Sequence, residues 1–135
     1  MHVTKAFFDS NVVLYLLSAD TAKADEAETL LMTGGVVSVQ VLNEVTHVMR
    51  RKLAMPWQAV ADVLVAVREQ CAVVPLTVEV HDDGRRLAER YGFSVYDAMI
   101  VAAALSANCD ILYSEDMQDG LVIERSLRIV NPFAA

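Results

Sequence analysis

The sequence has few cysteines, no long apolar run and fewer basic than acidic residues. Its two cysteines, Cys71 and Cys109, lack the paired spacing of a zinc site, and two are too few for a disulfide framework. We therefore expect buried free thiols. No apolar run approaches the roughly 18 residues that span a bilayer, and the first residues show no basic segment followed by an apolar signal core. These absences favour a cytoplasmic protein that is not bound to a membrane.

The 135 residues include 18 acidic and 11 basic side chains, which give a formal net charge of −7. Such a charge is unusual for a protein whose partner is a polyanion. It is compatible with clustered acids that bind a metal or with a basic protein partner, and composition does not separate the two. The hydrophobic fraction of 55% predicts helices and strands buried on several sides, with part of the excess at an oligomer interface.

The length and the pattern of elements predict a single α/β domain over residues 1–135, with a mostly parallel sheet of four to five strands. Short β-branched runs alternate with longer segments of helical period, which is typical of parallel βαβ units. The predicted strands are residues 3–8, 36–38, 71–75, 111–113 and 127–130. The predicted helices are residues 12–17, 21–32, 39–53, 56–70, 78–91 and 95–107.

Four acidic residues lie outside the exposed helix faces that carry most of the others. Asp9 directly follows the first predicted strand, and Asp116 follows the fourth. Glu44 lies on the inner half of a mostly apolar helix, and Asp97 is near the start of the most apolar helix. Because residues just past the strand ends of a parallel sheet share one edge with the helices that start there, we expect the four carboxylates to converge.

Each of the four acids also has an ordinary structural explanation. Asp9 can cap the helix that follows it, and Asp97, three residues after Ser94, can complete a capping box. Glu44 can pair with a base on its own helix, a contact worth only about 0.2–0.5 kcal/mol. Asp116 can be a turn residue. Together these explanations require four unrelated features at one edge of the sheet.

Four neighbouring carboxylates repel one another unless a cation holds them ionised. A hard divalent metal is the natural candidate, because Mg²⁺ prefers oxygen ligands and keeps several waters while one or two carboxylates bind it directly. Such a metal can generate a hydroxide-like nucleophile near neutral pH and stabilise charge on a phosphoryl oxygen. The acids therefore indicate hydrolysis of a phosphodiester.

The ordered set of motifs resembles that of the PIN-domain ribonucleases, in particular the VapC-type toxins of bacterial toxin–antitoxin pairs. The motifs are residues 7–11 at the first strand end, 38–44 with its final glutamate, 96–98 opening the central helix and 112–116 after the fourth strand. The resemblance covers essentially the whole chain. It implies a three-layer α/β/α sandwich, a homodimer, an RNA substrate, a cognate antitoxin, and endoribonuclease activity that depends on Mg²⁺ or Mn²⁺.

The same resemblance implies a role for each acid. Asp9 and Asp97 become the principal metal ligands, and Asp116 completes the cluster through water. Glu44 becomes a ligand or the group that orients and deprotonates the attacking water. Three polar side chains are expected to hold the carboxylates in place: Ser10, Asn11 and Ser114.

The chain departs from the family pattern beside its fourth acid. Toxins of this family often carry a basic or neutral residue just before that acid, whereas this chain has Glu115 there and Asp119 shortly after. Which of Glu115, Asp116 and Asp119 faces the metal is left open by the sequence. Candidate RNA-binding bases form two clusters that can equally be solvated helix faces: Arg50, Arg51 and Lys52, and Arg85, Arg86 and Arg90.

Three other functions compete with a toxin ribonuclease. A PIN-like domain without activity can serve as a binding or assembly module, and a housekeeping ribonuclease of the same family has the same motifs. An aspartate-nucleophile phosphatase also begins with an acid such as Asp9 after its first strand. Such enzymes typically need a second aspartate two residues on, where this chain has Asn11, and a lysine, whereas the chain has none after Lys52.

Overall fold

The computed structural model describes residues 3–134 of the chain. Its strands are β1 Ala6–Phe8, β2 Gly35–Ser38, β3 Cys71–Val74, β4 Ile111–Tyr113, β5 Val122–Ile123 and β6 Leu127–Val130. Its α-helices are α1 Ser10–Leu14, α2 Thr21–Met32, α3 Val39–Arg51, α4 Trp57–Gln70, α5 Val78–Tyr91 and α6 Val95–Ser106, and a 3₁₀ turn, Tyr15–Leu17, continues α1. None of the helices within residues 3–134 combines the length and apolar character needed to cross a bilayer.

The strands form one sheet in the order β3-β2-β1-β4-β6-β5, in which every neighbouring pair is parallel except β5 and β6. Phe7 and Phe8 are both fully buried although successive strand residues point to opposite faces. Both faces of the sheet are therefore covered, as parallel sheets require. The predicted α/β sandwich with a mostly parallel sheet is confirmed.

Two details of the sheet differ from the sequence prediction. Residues 3–134 contain six strands, one more than the upper predicted number, because β5 has only two residues and shows no periodicity. Its Val122 pairs with Arg128 of β6 in the sheet's one antiparallel contact. β1 begins at Ala6 and not at residue 3, since its paired residues start there and Val3 is exposed.

The position of β1 between β2 and β4 determines where the polar residues meet. Phe8 is paired with Tyr113, and the backbone N–H of Asp9 donates to the Tyr113 carbonyl at 3.0 Å. The residues that follow β1 and β4 are therefore side by side. Since β1 connects to β2 on one side and lies against β4 on the other, this edge is a topological switch point, where α/β sheets bind ligands.

The absence of a side chain at Gly35 allows β2 to lie close to β1. A Cβ at this position would stand 2.6 Å from Cε2 of Phe8 and 2.7 Å from the Ala6 carbonyl oxygen. We expect Gly35→Ala to lower the free energy of unfolding by about 1–3 kcal/mol, the usual cost of overpacking a core. Urea denaturation of the two proteins measures the difference.

Gly84, in the middle of α5, provides the matched control. A Cβ there would meet mainly the flexible end of Met99, 2.8 Å from its Cε and Sδ atoms. Alanine also favours a helix interior over glycine by about 1 kcal/mol, so Gly84→Ala should destabilise far less than Gly35→Ala. Equal losses in both variants would show that the close approach of β2 to β1 is not the cause.

Candidate active site

Asp9 is the most deeply buried acid of the site, with 2% of its surface exposed. Its Oδ1 accepts the backbone N–H of Ser10 at 2.7 Å, which caps α1, and its Oδ2 accepts the hydroxyl of Ser114 at 2.7 Å. Burial raises the pKa of Asp9 from 3.8 to about 6, although these two hydrogen bonds lower it. Repulsion from Asp97 and Glu44 raises the pKa further, so both carboxylates lie within electrostatic reach of Asp9.

Ser114 and Asn11 connect the end of β4 to the end of β1. The fully buried Ser114 hydroxyl oxygen accepts the backbone N–H groups of Asp116 at 3.2 Å and Met117 at 3.3 Å while its proton is donated to Asp9. The amide nitrogen of Asn11 lies 3.1 Å from Oδ2 of Asp116 and 3.3 Å from Oδ2 of Asp9. These bonds hold Asp116 beside Asp9.

Glu44 reaches the same edge from α3. Its Oε1 accepts the Ser10 hydroxyl at 2.9 Å, and its Oε2 accepts the side-chain amide of Gln40 at 3.0 Å. Gln40 lies one turn earlier on the same face of the helix. Both oxygens of Glu44 therefore have a donor that fixes the orientation of the carboxylate.

Asp97 lies in the first turn of α6, where the hydroxyl oxygen of Ser94 accepts its backbone N–H at 3.2 Å. This bond confirms that Ser94 caps the helix. Burial raises the pKa of Asp97, repulsion from Glu44 and Asp116 raises it further, and the Ser94 hydroxyl lowers it. The Ser10 hydroxyl joins Asp9 to Glu44 and the Asn11 amide joins Asp9 to Asp116, so these three carboxylates lie together. Asp97 lies within electrostatic reach of them.

The four carboxylates have no basic partner within residues 3–134. The ion pairs of this part of the chain involve other acids, namely Asp82, Glu115 and Glu124. In the same residues, no three acidic, histidine or cysteine side chains are close enough to coordinate one ion together. Carboxylate and hydroxyl oxygens without charge compensation fit a hard, water-rich cation such as Mg²⁺, which takes only one or two protein carboxylates directly.

The structure separates the three acids that the sequence left open after β4. Glu115 turns to α2, where it pairs with Lys23 at 3.1 Å and accepts the Tyr15 hydroxyl. Asp119 accepts the backbone N–H of Asn131 at 2.9 Å. Within the part of the chain that the structure describes, Asp116 is the only one of the three whose carboxylate is hydrogen bonded to a residue that also holds Asp9, because Glu115 reaches Asn11 through its backbone N–H alone.

The two basic clusters lie in different places relative to these acids. Arg50 and Arg51 line a groove of about 600 Å³ that shares Asn43 and His47 with the groove beside Glu44. Arg86 instead pairs with a glutamate of the turn between β5 and β6, next to Arg90 and Arg85 on α5. That turn precedes β6 and so lies at the opposite edge of the parallel sheet; Arg85 and Arg86 are not brought to the carboxylates.

The sequence interpretation did not predict the contacts by which two groups position the site. Gln40, which holds Glu44, had a signal, because the two residues are four apart on one helix face. The contacts of Lys23 and Tyr15 with Glu115, which hold it away from Asp116, had no signal in the sequence, because these residues lie far from Glu115 along the chain. The Lys23 ammonium also lies 4.5 Å from the centroid of the Tyr15 ring.

Removal of the Ser114 hydroxyl should show how the site is held together. We expect Ser114→Ala to lower the free energy of unfolding by about 1–3 kcal/mol, because the buried Met117 N–H, the Asp116 N–H and the Asp9 carboxylate lose a partner. Thermal and urea denaturation measure the loss. Ser106→Ala is the control, because the exposed Ser106 hydroxyl donates only to the Ala103 carbonyl of its own helix. A Ser114→Ala protein as stable as this control would contradict the assignment.

The PIN domain family model matches residues 6–118 of the chain. No curated protein matches its sequence. A chain of a toxin–antitoxin complex from Klebsiella pneumoniae is 19% identical and superimposes with a TM-score of 0.74, over 97% of this chain and 100% of that one.

Two further solved structures have similar folds. VapC20 of Mycobacterium tuberculosis, described as a sarcin-ricin loop cleaving toxin, is 20% identical with a TM-score of 0.68, over 83% of this chain and 90% of its own. VapBC2 of Rickettsia felis, bound to a promoter DNA fragment, is 14% identical with a TM-score of 0.60, over 84% of this chain and 89% of that one. At these identities the similarity establishes the fold.

Proposed function

This chain belongs to the PIN-domain family, and from that premise we propose that it is a metal-dependent endoribonuclease that hydrolyses RNA phosphodiester bonds. One observation carries the proposal. Asp9, Glu44, Asp97 and Asp116 meet at the topological switch point of the sheet, and no basic side chain within residues 3–134 pairs with them. A cation bound there would compensate the charge of the carboxylates and could assist the hydrolysis of RNA.

Mg²⁺ or Mn²⁺ would be held by Asp9, Asp97 and Asp116, the last through water. When bound, the ion supplies charge stabilisation at a phosphoryl oxygen and a more acidic water. Asp9 is oriented for this role by Ser114 and by the Ser10 N–H. Because Asp9 is almost fully buried, charge interactions of its carboxylate are screened less by water than those of an exposed acid.

Glu44 is the proposed general base. Its Oε1 and Oε2 are held by Ser10 and Gln40, so the carboxylate keeps a fixed orientation at the mouth of the groove. A positioned carboxylate that accepts a proton from the attacking water contributes typically about 10²- to 10⁴-fold to a rate. The leaving oxygen of the RNA then takes up a proton from solvent at the open side of the groove.

We assign the ribonuclease to the toxin of a type II toxin–antitoxin pair. The structural neighbour from Klebsiella pneumoniae is a chain of a toxin–antitoxin complex, and VapC20 of Mycobacterium tuberculosis is described as a toxin. A net charge of −7 suits an antitoxin with a basic arm, and an arginine inserted among the carboxylates would block the site. We also propose a cytoplasmic homodimer, whose interface would cover exposed apolar side chains such as Val78 and Val95.

The proposal is tested by incubating the purified protein with a mixed pool of cellular RNAs, with Mg²⁺ or Mn²⁺ and with chelator. Cleavage is expected only with the metal, and the mapped ends identify the substrate. Cleavage that persists in chelator would contradict the metal-dependent mechanism. No cleavage by a folded protein that binds Mn²⁺ would favour the alternative of a binding module.

A further inference from the structure

The open face of α3 continues the carboxylate site into a second groove. The first groove, of about 480 Å³, is lined by Ser10, Glu44 and Tyr96, and also by Asn43 and His47. Asn43 and His47 line the second groove as well, which has about 600 Å³. The two grooves therefore adjoin along the helix, and together we call them the α3 channel. The second groove is also lined by Thr46, Arg50, Arg51 and Trp57.

The charge of the α3 channel reverses along its length. Glu44, His47 and Arg51 follow one another at spacings of three and four residues, so they lie on one face of the helix. Among the residues that the structure describes, the end beyond His47 is lined by two arginines and by no acid. Within residues 3–134 no acid pairs with Arg51, whose charge therefore faces the channel without a partner.

An exposed aromatic side chain lies at each end of the α3 channel. Tyr96, 66% exposed, directly precedes Asp97, and Trp57 is 64% exposed. The Arg50 guanidinium lies 4.4 Å from the centroid of the Trp57 ring and donates to the Met55 carbonyl at 2.8 Å. This arginine and the indole thus form a flat, rigid, positively charged surface at the rim.

From this arrangement we propose that the α3 channel binds a single-stranded RNA segment next to the scissile phosphate. Arg50 and Arg51 contact phosphates of the segment. Trp57 stacks on one base and Tyr96 stacks on another beside the carboxylates. This inference rests on the proposed ribonuclease function. It adds that the substrate is single-stranded at the site and that these residues select that conformation.

Single-stranded RNA fits the channel better than a duplex does. Exposed aromatic faces bind unstacked bases irrespective of sequence, and arginines along the same groove follow the backbone. A base-paired helix keeps its bases stacked inside and offers no face to Trp57 or Tyr96. The arginine end also compensates for the repulsion that RNA phosphates meet at Glu44 in an acidic protein.

Trp57 is the only tryptophan of the chain, so its fluorescence reports directly on the proposed contact. The test adds a short oligouridylate to the protein in chelator, where no cleavage occurs, and compares an abasic oligonucleotide of equal length. We expect quenching by the oligouridylate and little by the abasic strand, because only the former has bases to stack. No quenching by either strand, or equal quenching by both, would overturn the proposal.

Variants separate the phosphate contacts from the stacking. Arg51→Ala should lower the slope of log affinity against log salt concentration by about 0.7, the value for one phosphate contact with a single strand. Arg85→Ala, an identical charge change on α5 outside the lining of the α3 channel, is the control and should leave the slope unchanged. Trp57→Ala, measured with a labelled oligonucleotide, should lose about 10-fold in affinity, within the range for one stacked base. Equal effects of the two arginine variants would overturn the proposal.

The fluorescence and affinity measurements test the channel proposal whether or not the protein cleaves RNA. If cellular RNA is not cleaved while the oligouridylate still quenches Trp57 and requires Arg51, the ribonuclease proposal fails and the channel proposal stands. If cleavage proceeds equally in the wild type, Arg51→Ala and Trp57→Ala, the channel proposal fails and the ribonuclease stands. A Trp57 emission that shifts with protein concentration, without quenching by RNA, would assign this face to a second copy and overturn the proposal.

Discussion

Asp97→Asn is expected to lower metal-dependent RNA cleavage at least about 100-fold, because a metal site contributes several kcal/mol of charge stabilisation. The asparagine keeps the shape of the side chain and removes the charge that acts on Asp9 and Asp116. The helix start should remain intact, since the Asp97 backbone N–H, which the variant keeps, still donates to the Ser94 hydroxyl. Initial cleavage rates at saturating Mn²⁺ and far-UV circular dichroism measure the two effects.

Asp119→Asn is the matched control for this variant. It makes the same substitution close to Asp116, but the Asp119 carboxylate accepts the Asn131 N–H away from the other acids. Its cleavage rate should stay within about 2-fold of the wild type, since surface changes away from a site usually cost little. Equal losses in Asp97→Asn and Asp119→Asn, or full activity in both, would remove Asp97 from the proposed site.

The second large effect is a loss of stability of the metal-free protein as the pH rises. The pKa of Asp9 is about 6 in the folded protein, against 3.8 for the ordinary carboxyl group. The folded state therefore binds the Asp9 proton more tightly than the unfolded state, and this contribution is complete below about pH 4. It disappears as the pH rises through 6, and the difference corresponds to about 3 kcal/mol.

Asp9→Asn isolates this contribution, because asparagine does not titrate in the window. Urea denaturation in chelator should show a larger fall in stability between about pH 4 and pH 7 in the wild type than in the variant. The fall that remains in the variant comes from groups such as Asp97, whose pKa is also raised. Parallel curves for the two proteins would contradict the raised pKa of Asp9.

Addition of Mg²⁺ or Mn²⁺ should reverse the loss in the wild type. A cation that binds the folded state alone at about 100 times its dissociation constant stabilises that state by about 2.7 kcal/mol. The gain should be larger at pH 8 than at pH 5, where the proton on Asp9 competes with the ion. Asp9→Asn should show little gain at either pH.

The helices and the acids that converge could be predicted from sequence because local signals define them. α2 has the predicted bounds of residues 21–32, and Ser94, Thr77 and Gly92 cap or end helices as expected. The convergence of Asp9, Glu44, Asp97 and Asp116 follows from a general property of parallel sheets and needed no knowledge of side-chain contacts.

The remaining features depend on contacts between distant segments. Glu115 and Asp116 are adjacent and chemically similar, and the partners of their carboxylates distinguish them: Lys23 and Tyr15 for Glu115, and the Asn11 amide for Asp116. The arginines of α5 are as dense in sequence as those of α3, but α5 directs Arg86 to the far edge of the sheet. β5 has two residues and is held by pairing with β6.

Paramagnetic broadening by Mn²⁺ of the amide NMR signals tests most directly whether the four carboxylates share a divalent cation. At substoichiometric Mn²⁺ and pH 8, we expect the amides of Ser10, Glu44, Asp97 and Ser114 to broaden first, while those around Glu124 stay sharp. Broadening centred on the exposed acids of α2, or uniform weak broadening across the protein, would contradict a metal site at the ends of β1 and β4.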